Sequence, residues 1–403
     1  MILLTLGKIN RSEILDHLIG PAIVAVVAAI ILIVRQQNHR NAYKRTDLAF
    51  RRGIVLPEPA PKRLWPWRRG LITSASLAAF YLLAFRGISF LDEFHKEYAG
   101  GAILMSFSFL FLGPFVAGFF TVDQAAAREP LPIKQWIIAP WIPILLNLAL
   151  AIAVYWEGLI CAIFIIPPAM ILASLGGVTA GFIHRYRHKR SSSTTLLCMA
   201  VAPLLLCILE THLNQPLQTR TVDTSIVIHA SIPTVWQNIE RVRPIAPSEL
   251  RRSWANAIGF PRPVAATLSH EGVGGVRNAS FERGLNFTET ITDWVPNQHI
   301  AFTIKADTAA IPRTTLDEHV TVGGRFFDVL TGEYDLHALP NGDTLLHLSS
   351  RERLSTDFNA YAAMWSDAVM RDMQSNILHV IRNRCESTQT QPQTSLSTNE
   401  RRQ

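Results

Sequence analysis

The chain has 403 residues, 49% of them hydrophobic and 17% charged, with a formal net charge of +7. A sequence pI near 9.4 would suit a nucleic-acid partner, but no helix-turn-helix, RRM or zinc signature accompanies the charge, and the basic residues gather beside apolar blocks instead. The four cysteines, Cys161, Cys198, Cys207 and Cys385, form no CxxC pair, which argues against a disulfide framework and a zinc centre.

Up to about Leu213 the sequence consists of apolar blocks separated by short charged loops. A membrane span needs about 20 mostly apolar residues, at a rise of about 1.5 Å each, to cross roughly 30 Å of hydrocarbon. Six stretches meet or approach this: residues 18–34, 71–90, 101–122, 136–155, 159–183 and 194–209. They predict an all-α six-helix membrane bundle over residues 1–213. The first and last are short and rely on flanking anchors. The fifth carries Pro167 and Pro168, which predict a kink. No small-residue cleavage site follows the first stretch, and a dense basic run does, so it reads as an uncleaved span.

The loops set the orientation. Arg35 to Arg69 holds ten basic residues between the first two spans, the run from His184 to Arg190 separates spans five and six, and Arg128 and Lys134 lie between spans three and four. By the positive-inside rule these loops are cytoplasmic. The three agree on one topology, with the N-terminus and everything after span six extracytoplasmic, as expected of an integral protein of a bacterial inner or plasma membrane. Trp65, Trp67, Trp136, Trp141, Tyr155 and Trp156 sit near span ends, where their rings favour the headgroup layer. No series of buried Asp, Glu or His marks a proton path. Asp123, Arg128 and Glu129 read as loop residues at the interface, and the bundle reads as an anchor.

After residue 213 the pattern changes to a β-rich one. Ile226, Ile228 and Ala230 alternate with Val227, His229 and Ser231 as in a strand. Pro233 opens a short helix presenting Val235, Trp236 and Ile239 on one face, and a second helical segment runs over 248–258. The glycines of Gly272-Val-Gly-Gly-Val-Arg277 lack the Gly-Lys-Ser/Thr of a phosphate loop and read as a turn into an antiparallel meander. Strands are predicted at 277–283, 285–294, 299–305, 327–339 and 344–354, the last two joined by the turn Pro340-Asn-Gly-Asp343. Asp357 stands where an N-cap belongs. Phe358, Tyr361, Trp365, Val369, Met373, Ile377 and Ile381 then recur at spacings of three and four, predicting an amphipathic helix of roughly 40 Å. The Ser/Thr/Gln-rich segment 386–403 reads as disordered.

This order predicts an α+β domain over 214–385, in which a curved antiparallel sheet grips one long C-terminal helix. The segments Ser-Ile-Val-Ile-His-Ala-Ser-Ile-Pro-Thr-Val-Trp236, Gly-Gly-Val-Arg277 with Phe-Glu-Arg-Gly284, and Phe287-Thr-Glu-Thr-Ile-Thr-Asp-Trp-Val-Pro296 resemble the START-like (SRPBCC) superfamily of polyketide cyclase/dehydrase and lipid-transport domains. The resemblance spans about residues 221–385 and departs from the pattern at 241–263 and 308–324. It implies a helix-grip fold with an internal space for a hydrophobic ligand. It implies a binding protein rather than a particular reaction, since only some members are enzymes.

Candidate ligand-contacting residues follow from the strand faces. Leu285, Phe287, Glu289, Ile291 and Asp293 share one face, and Leu346, Leu348, Ser350, Glu352 and Leu354 share another. Turned inward, Glu289 and Glu352 would orient a ligand or act as acid/base groups with raised pKa. Turned outward, or paired with Arg277, Arg351 or Arg353, they would be structural. Trp236, Phe281, Phe302, Tyr334 and Trp365 are aromatic candidates for a ligand-lined interior, or for simple core. His229, His299, His319, His337 and His347 lack metal-ligand spacing, and there is no cofactor motif and no nucleophile elbow. The expected partners are membrane lipids and a hydrophobic small molecule, with no nucleic acid. The alternatives are a cyclase/dehydrase-type enzyme and a membrane-anchored scaffold.

Overall fold

The computed structural model describes residues 106–127, 131–153, 158–187, 193–211, 216–307 and 322–389, with 72, 76 and 77. Contacts divide the chain into two units, one of Met1–Trp156 with Ile165–Leu213, the other of Glu157–Phe164 with Asn214–Gln403.

In the first unit a π-helical turn, Ser108–Leu112, leads into α1 (Gly113–Ala126). Then come α2 (Ile133–Ile138), α3 (Trp141–Ala153), α4 (Leu159–Arg187), whose opening up to Phe164 belongs to the second unit, and α5 (Ser193–Thr211). Among the described residues, three stretches are long and apolar enough to cross a membrane: Ser108–Ala126, Ile133–Ala153 and Leu159–Tyr186. They overlap the third, fourth and fifth expected spans. The sixth corresponds to α5, whose apolar part, Leu196–Cys207, is shorter. The expected spans at 18–34 and, but for three residues, 71–90 lie outside the described residues.

Small residues let α1 and α4 approach closely. A Cβ on Gly118 would stand 1.9 Å from the Ala173 carbonyl oxygen, and one on Gly176 would stand 2.0 Å from that of Phe115. Gly177 and Gly181 make room in the same way for Trp136. Asp123 corrects an expectation: it lies in α1 rather than in a loop, fully buried, with Oδ1 2.9 Å from Nε2 of His184 on α4. A carboxylate inside an apolar bundle needs such a partner.

The second unit contains β1 (Gln218–Ile228), α6 (Ile232–Glu240), α7 (Trp254–Ile258), β2 (Pro263–Leu268), β3 (Val276–Phe281), β4 (Asn286–Val295), β5 (His299–Asp307), β6 (Phe327–Ala338), β7 (Thr344–Leu354) and α8 (Asn359–Gln389). The seven strands form one sheet in the order β1-β7-β6-β5-β4-β3-β2, with every neighbouring pair antiparallel. Its inner face packs on α6 and α8 around a core that includes Ile228, Trp236, Ile291, Phe302, Tyr334, Leu346, Leu378 and Ile381. This is the gripped-helix arrangement expected. At the hairpin between β2 and β3, Gly272 and Gly274 hold φ of +100° and +85°, which only glycine adopts without strain.

Two details differ from expectation. The strand β2 is an addition, and it is covered at the sheet edge by Val242 and Ile245, which bond to Ala266 and Val264. The helix α8 starts at Asn359 rather than just after Asp357, its first carboxamide accepting from the Thr356 amide at 2.8 Å. This helix also buries polar residues in mid-length, with Asp372, Gln374 and Asn376 almost inaccessible. Each is satisfied by a neighbouring element. Gln374 donates to the Val222 carbonyl at 3.0 Å and to Ser350 Oγ at 2.9 Å. Asp372 accepts from Ser253 Oγ at 2.5 Å and the Ala255 amide at 3.0 Å. Asn376 accepts from the Arg251 amide at 3.1 Å. These bonds fasten the 250–256 segment and β1–β7 to one helix.

Candidate functional site

Because side chains alternate along a strand, the inward residues follow from register. They are Arg277 and Ala279 on β3, Phe287, Glu289 and Ile291 on β4, Ile300 and Phe302 on β5, Tyr334 and Leu336 on β6, and Leu346, Leu348, Ser350 and Glu352 on β7. Glu289 and Glu352 therefore both point inward. A bulge between Ile291 and Asp293 shifts the register of β4. Beyond it Trp294 is half-buried and Asp293 exposed, so Asp293 does not share the face of Glu289.

The inner face carries a buried ion pair. Arg277 lies directly opposite Glu289 in the β3–β4 ladder, and its Nε stands 3.3 Å from Oε2 of Glu289. The guanidinium also sits 5.3 Å from the Phe302 ring centroid and 5.6 Å from that of Tyr334, within cation–π range. Gly332 on β6 makes this possible. It pairs with Phe302, and a Cβ there would come within 2.6 Å of the ring.

Among the described residues, Nε and Nη1 of Arg277 and Oε2 of Glu289 have no hydrogen-bond partner. Burial pushes the Glu289 carboxyl above the usual carboxylate range, with the Arg277 charge pulling the other way. Burial likewise raises Tyr334. The pair also stands at a boundary. Along β4, Phe287 belongs to a small apolar cluster with Val242, Ala266, Ala279 and Phe281, while Ile291 belongs to the main core. Glu289 lies between them.

Glu352 occupies a different part of the same face. It is inaccessible to solvent, and neither carboxylate oxygen has a hydrogen-bond partner among the described residues. Its cross-strand neighbour Arg220 is engaged instead by Asp367, in a bidentate pair at 3.0 and 2.6 Å. Burial pushes the Glu352 carboxyl up, helped by the Asp367 charge and opposed by Ser366 and Arg220. Glu352 thus pairs with neither Arg351 nor Arg353, whereas Glu289 does pair with Arg277.

The remaining expected residues fall into separate groups. Trp236 is in the core, edge-on to Trp294 at 5.1 Å. Phe281 and Phe287 meet edge to face at 5.2 Å in the smaller cluster. Trp365 is half-buried on α8, and its Nε1 has no partner among the described residues. The pairing of Glu289 with Arg277 was among the expectations as a structural contact, and Arg277 was not among the candidate ligand-contacting residues.

Among the described residues no group of three or more His, Cys, Asp or Glu side chains is arranged to hold a metal. His299 bonds Asp335 at 2.7 Å and His229 bonds Asp343 at 2.8 Å, while His319 lies outside the described residues.

No family model and no curated protein matches the chain. Solved structures do. A START superfamily protein from Mycobacterium smegmatis shares 11% identity over 42% of this chain and 98% of its own, with a TM-score of 0.28. The ZhuI aromatase/cyclase from Streptomyces sp. R1128 shares 16% over 41% and 94%, with a TM-score of 0.26. A conserved protein from Geobacillus kaustophilus shares 15% over 42% and 97%, with a TM-score of 0.28. The strand order and the gripped helix described above make the C-terminal domain a curved antiparallel sheet closed on one long helix.

Proposed function

We propose that this chain is an integral membrane protein whose START-like domain, on the extracytoplasmic side, binds a lipid or another hydrophobic molecule that carries one polar group. The observation behind this reading is the Arg277–Glu289 pair. A buried ion pair is a costly way to hold a sheet together, because desolvation offsets most of the attraction. Placed between two apolar clusters, with Nε and Nη1 of Arg277 lacking a hydrogen-bond partner among the described residues, it suits a ligand whose polar end meets Arg277 and whose apolar body lies along Phe302, Tyr334 and Phe287. The membrane half supports the reading by holding the domain near a lipid source, which raises effective concentration. The basic loops support the orientation.

The test is native mass spectrometry of the full-length protein released from detergent, with organic extraction of what it carries. A non-detergent hydrophobic molecule at about one per chain is the expected result. A bare protein that also takes up no labelled lipid from vesicles overturns the reading, and co-purification of a protein in place of a lipid favours a scaffold.

Glu352 favours a second reading, an enzyme of the cyclase/dehydrase type. Burial shifts this inward carboxyl toward the protonated form that a general acid needs. That reading predicts chemical change in a bound substrate that Glu352→Gln abolishes without loss of binding. Unaltered ligand recovered from both proteins excludes it.

A further inference from the structure

We propose that the end of the sheet where β1 begins and β7 ends docks onto the headgroup layer of an anionic lipid bilayer. The register defines that end: Gln218 pairs with Leu354 and Pro263 with Phe281 there, while Ile228 with Thr344 and Val295 with His299 mark the opposite end. Three large apolar side chains at the first end stay in the open, Leu217 at 66% exposure, Met364 at 54% and Trp254 at 39%. At the same end stand exposed Arg252, Arg262 and Arg283, with Glu282 and Asp307 as exposed acids.

Scattered exposed apolar residues mean little, but this group combines tryptophan, arginine and aliphatic chains, the composition that favours the bilayer interface. A second observation says what covers it. The unit that holds the domain also includes Glu157–Phe164, the opening of an α4 helix apolar enough to cross a membrane. The Phe164 ring stacks on Trp365 at 4.7 Å, and the Tyr361 hydroxyl donates to the Phe164 carbonyl at 2.6 Å. Trp365 in turn lies 6.4 Å from Trp254, ring to ring. The first residues of this apolar helix, up to Phe164, thus lie against the same face as the exposed tryptophan. Docking there requires nothing of the ligand-binding reading.

The test uses the full-length protein with the exposed Cys198 replaced by serine, reconstituted into vesicles. Nitroxide labels are placed singly through Trp254→Cys, Met364→Cys and, as a control, Val273→Cys at the β2–β3 hairpin on the opposite end. In vesicles with anionic lipid, labels at 254 and 364 are expected to be shielded from a water-soluble paramagnetic quencher and reached by oxygen, while 273 behaves as water-exposed. Combining Arg252→Glu, Arg262→Glu and Arg283→Glu should return position 364 to water while the spectrum at 273 stays unchanged, the latter showing that the domain remains folded. Labels at 254 and 364 as water-accessible as 273 overturn the proposal. So does shielding that ignores both lipid charge and the arginine changes, which points to a protein partner or a second copy.

Discussion

Replacing the buried ion pair one residue at a time and then together gives a graded set of outcomes. Arg277 and Glu289 are both nearly inaccessible and 3.3 Å apart. Removing one member of such a pair costs about 3–5 kcal/mol, whereas replacing both with apolar side chains of similar volume is often neutral or stabilising. The two single changes should differ. In Arg277→Met the stranded Glu289 can take up a proton, which burial already favours, so the cost falls near 3 kcal/mol. In Glu289→Leu the guanidinium cannot be neutralised, so the cost falls near 5 kcal/mol. For a domain of this size about 1 kcal/mol moves the melting midpoint by roughly 2–4 °C. The expected losses are then on the order of 10 °C for Arg277→Met and more for Glu289→Leu, with the double variant within about 5 °C of the parent. Thermal unfolding of the full-length protein in detergent, followed by near-UV circular dichroism, measures this. A double variant that loses the sum of the single losses would refute the reasoning, as would single variants that melt like the parent.

Three further outcomes follow from the same physics. Glu352 has a raised pKa in the folded state, so its contribution to stability is fully present below the ordinary carboxylate range and is lost as pH rises through the folded value. Across that window the parent should lose up to about 1.4 kcal/mol per pH unit from this group, and Glu352→Gln should flatten the slope in denaturant melts taken at several pH values. Asp372→Ala strips acceptors from Ser253, the Ala255 amide and Arg251. It should cost about 2–4 kcal/mol, and hydrogen exchange should rise first over residues 250–258. Gly176→Ala drives a Cβ to within 2.0 Å of the Phe115 carbonyl. It should destabilise the bundle by more than the usual 1–3 kcal/mol of overpacking, seen as lost monodisperse yield in detergent.

Much of the domain is written in local pattern. Alternation marks β4 to β7, and the three-four spacing marks α8, because each buries one face. The parts that the sequence hides are those where burial does not follow hydrophobicity. The strand β2 opens with a proline and spends two of its six residues on alanine, so it lacks the β-branched alternation that announces a strand. The bulge after Ile291 turns Asp293 outward, and no residue there signals it. Asp372, Gln374 and Asn376 fall outside the apolar spacing that marks α8, yet they are buried because other elements supply their partners. Arg277 is legible as a possible partner of Glu289, but not as a residue facing the aromatic side chains Phe302 and Tyr334. The site was legible in Glu289, Phe302 and Tyr334 as inward candidates, with Arg277 as one of three possible partners, and only the β3–β4 register selects Arg277 among them. In the membrane half, the burial of Asp123 depends on His184, which lies 61 residues away.

In the proposed function, Arg277 holds the polar end of a ligand inside an apolar domain. The most direct test is to count the hydrophobic molecules carried per chain by the full-length parent and by the doubly substituted Arg277→Met, Glu289→Leu protein, using quantitative extraction from equal amounts of folded material. About one molecule per chain in the parent and a loss of at least tenfold in the variant is the predicted result. Equal occupancy in the two would contradict the assignment of this pair as the ligand's polar anchor.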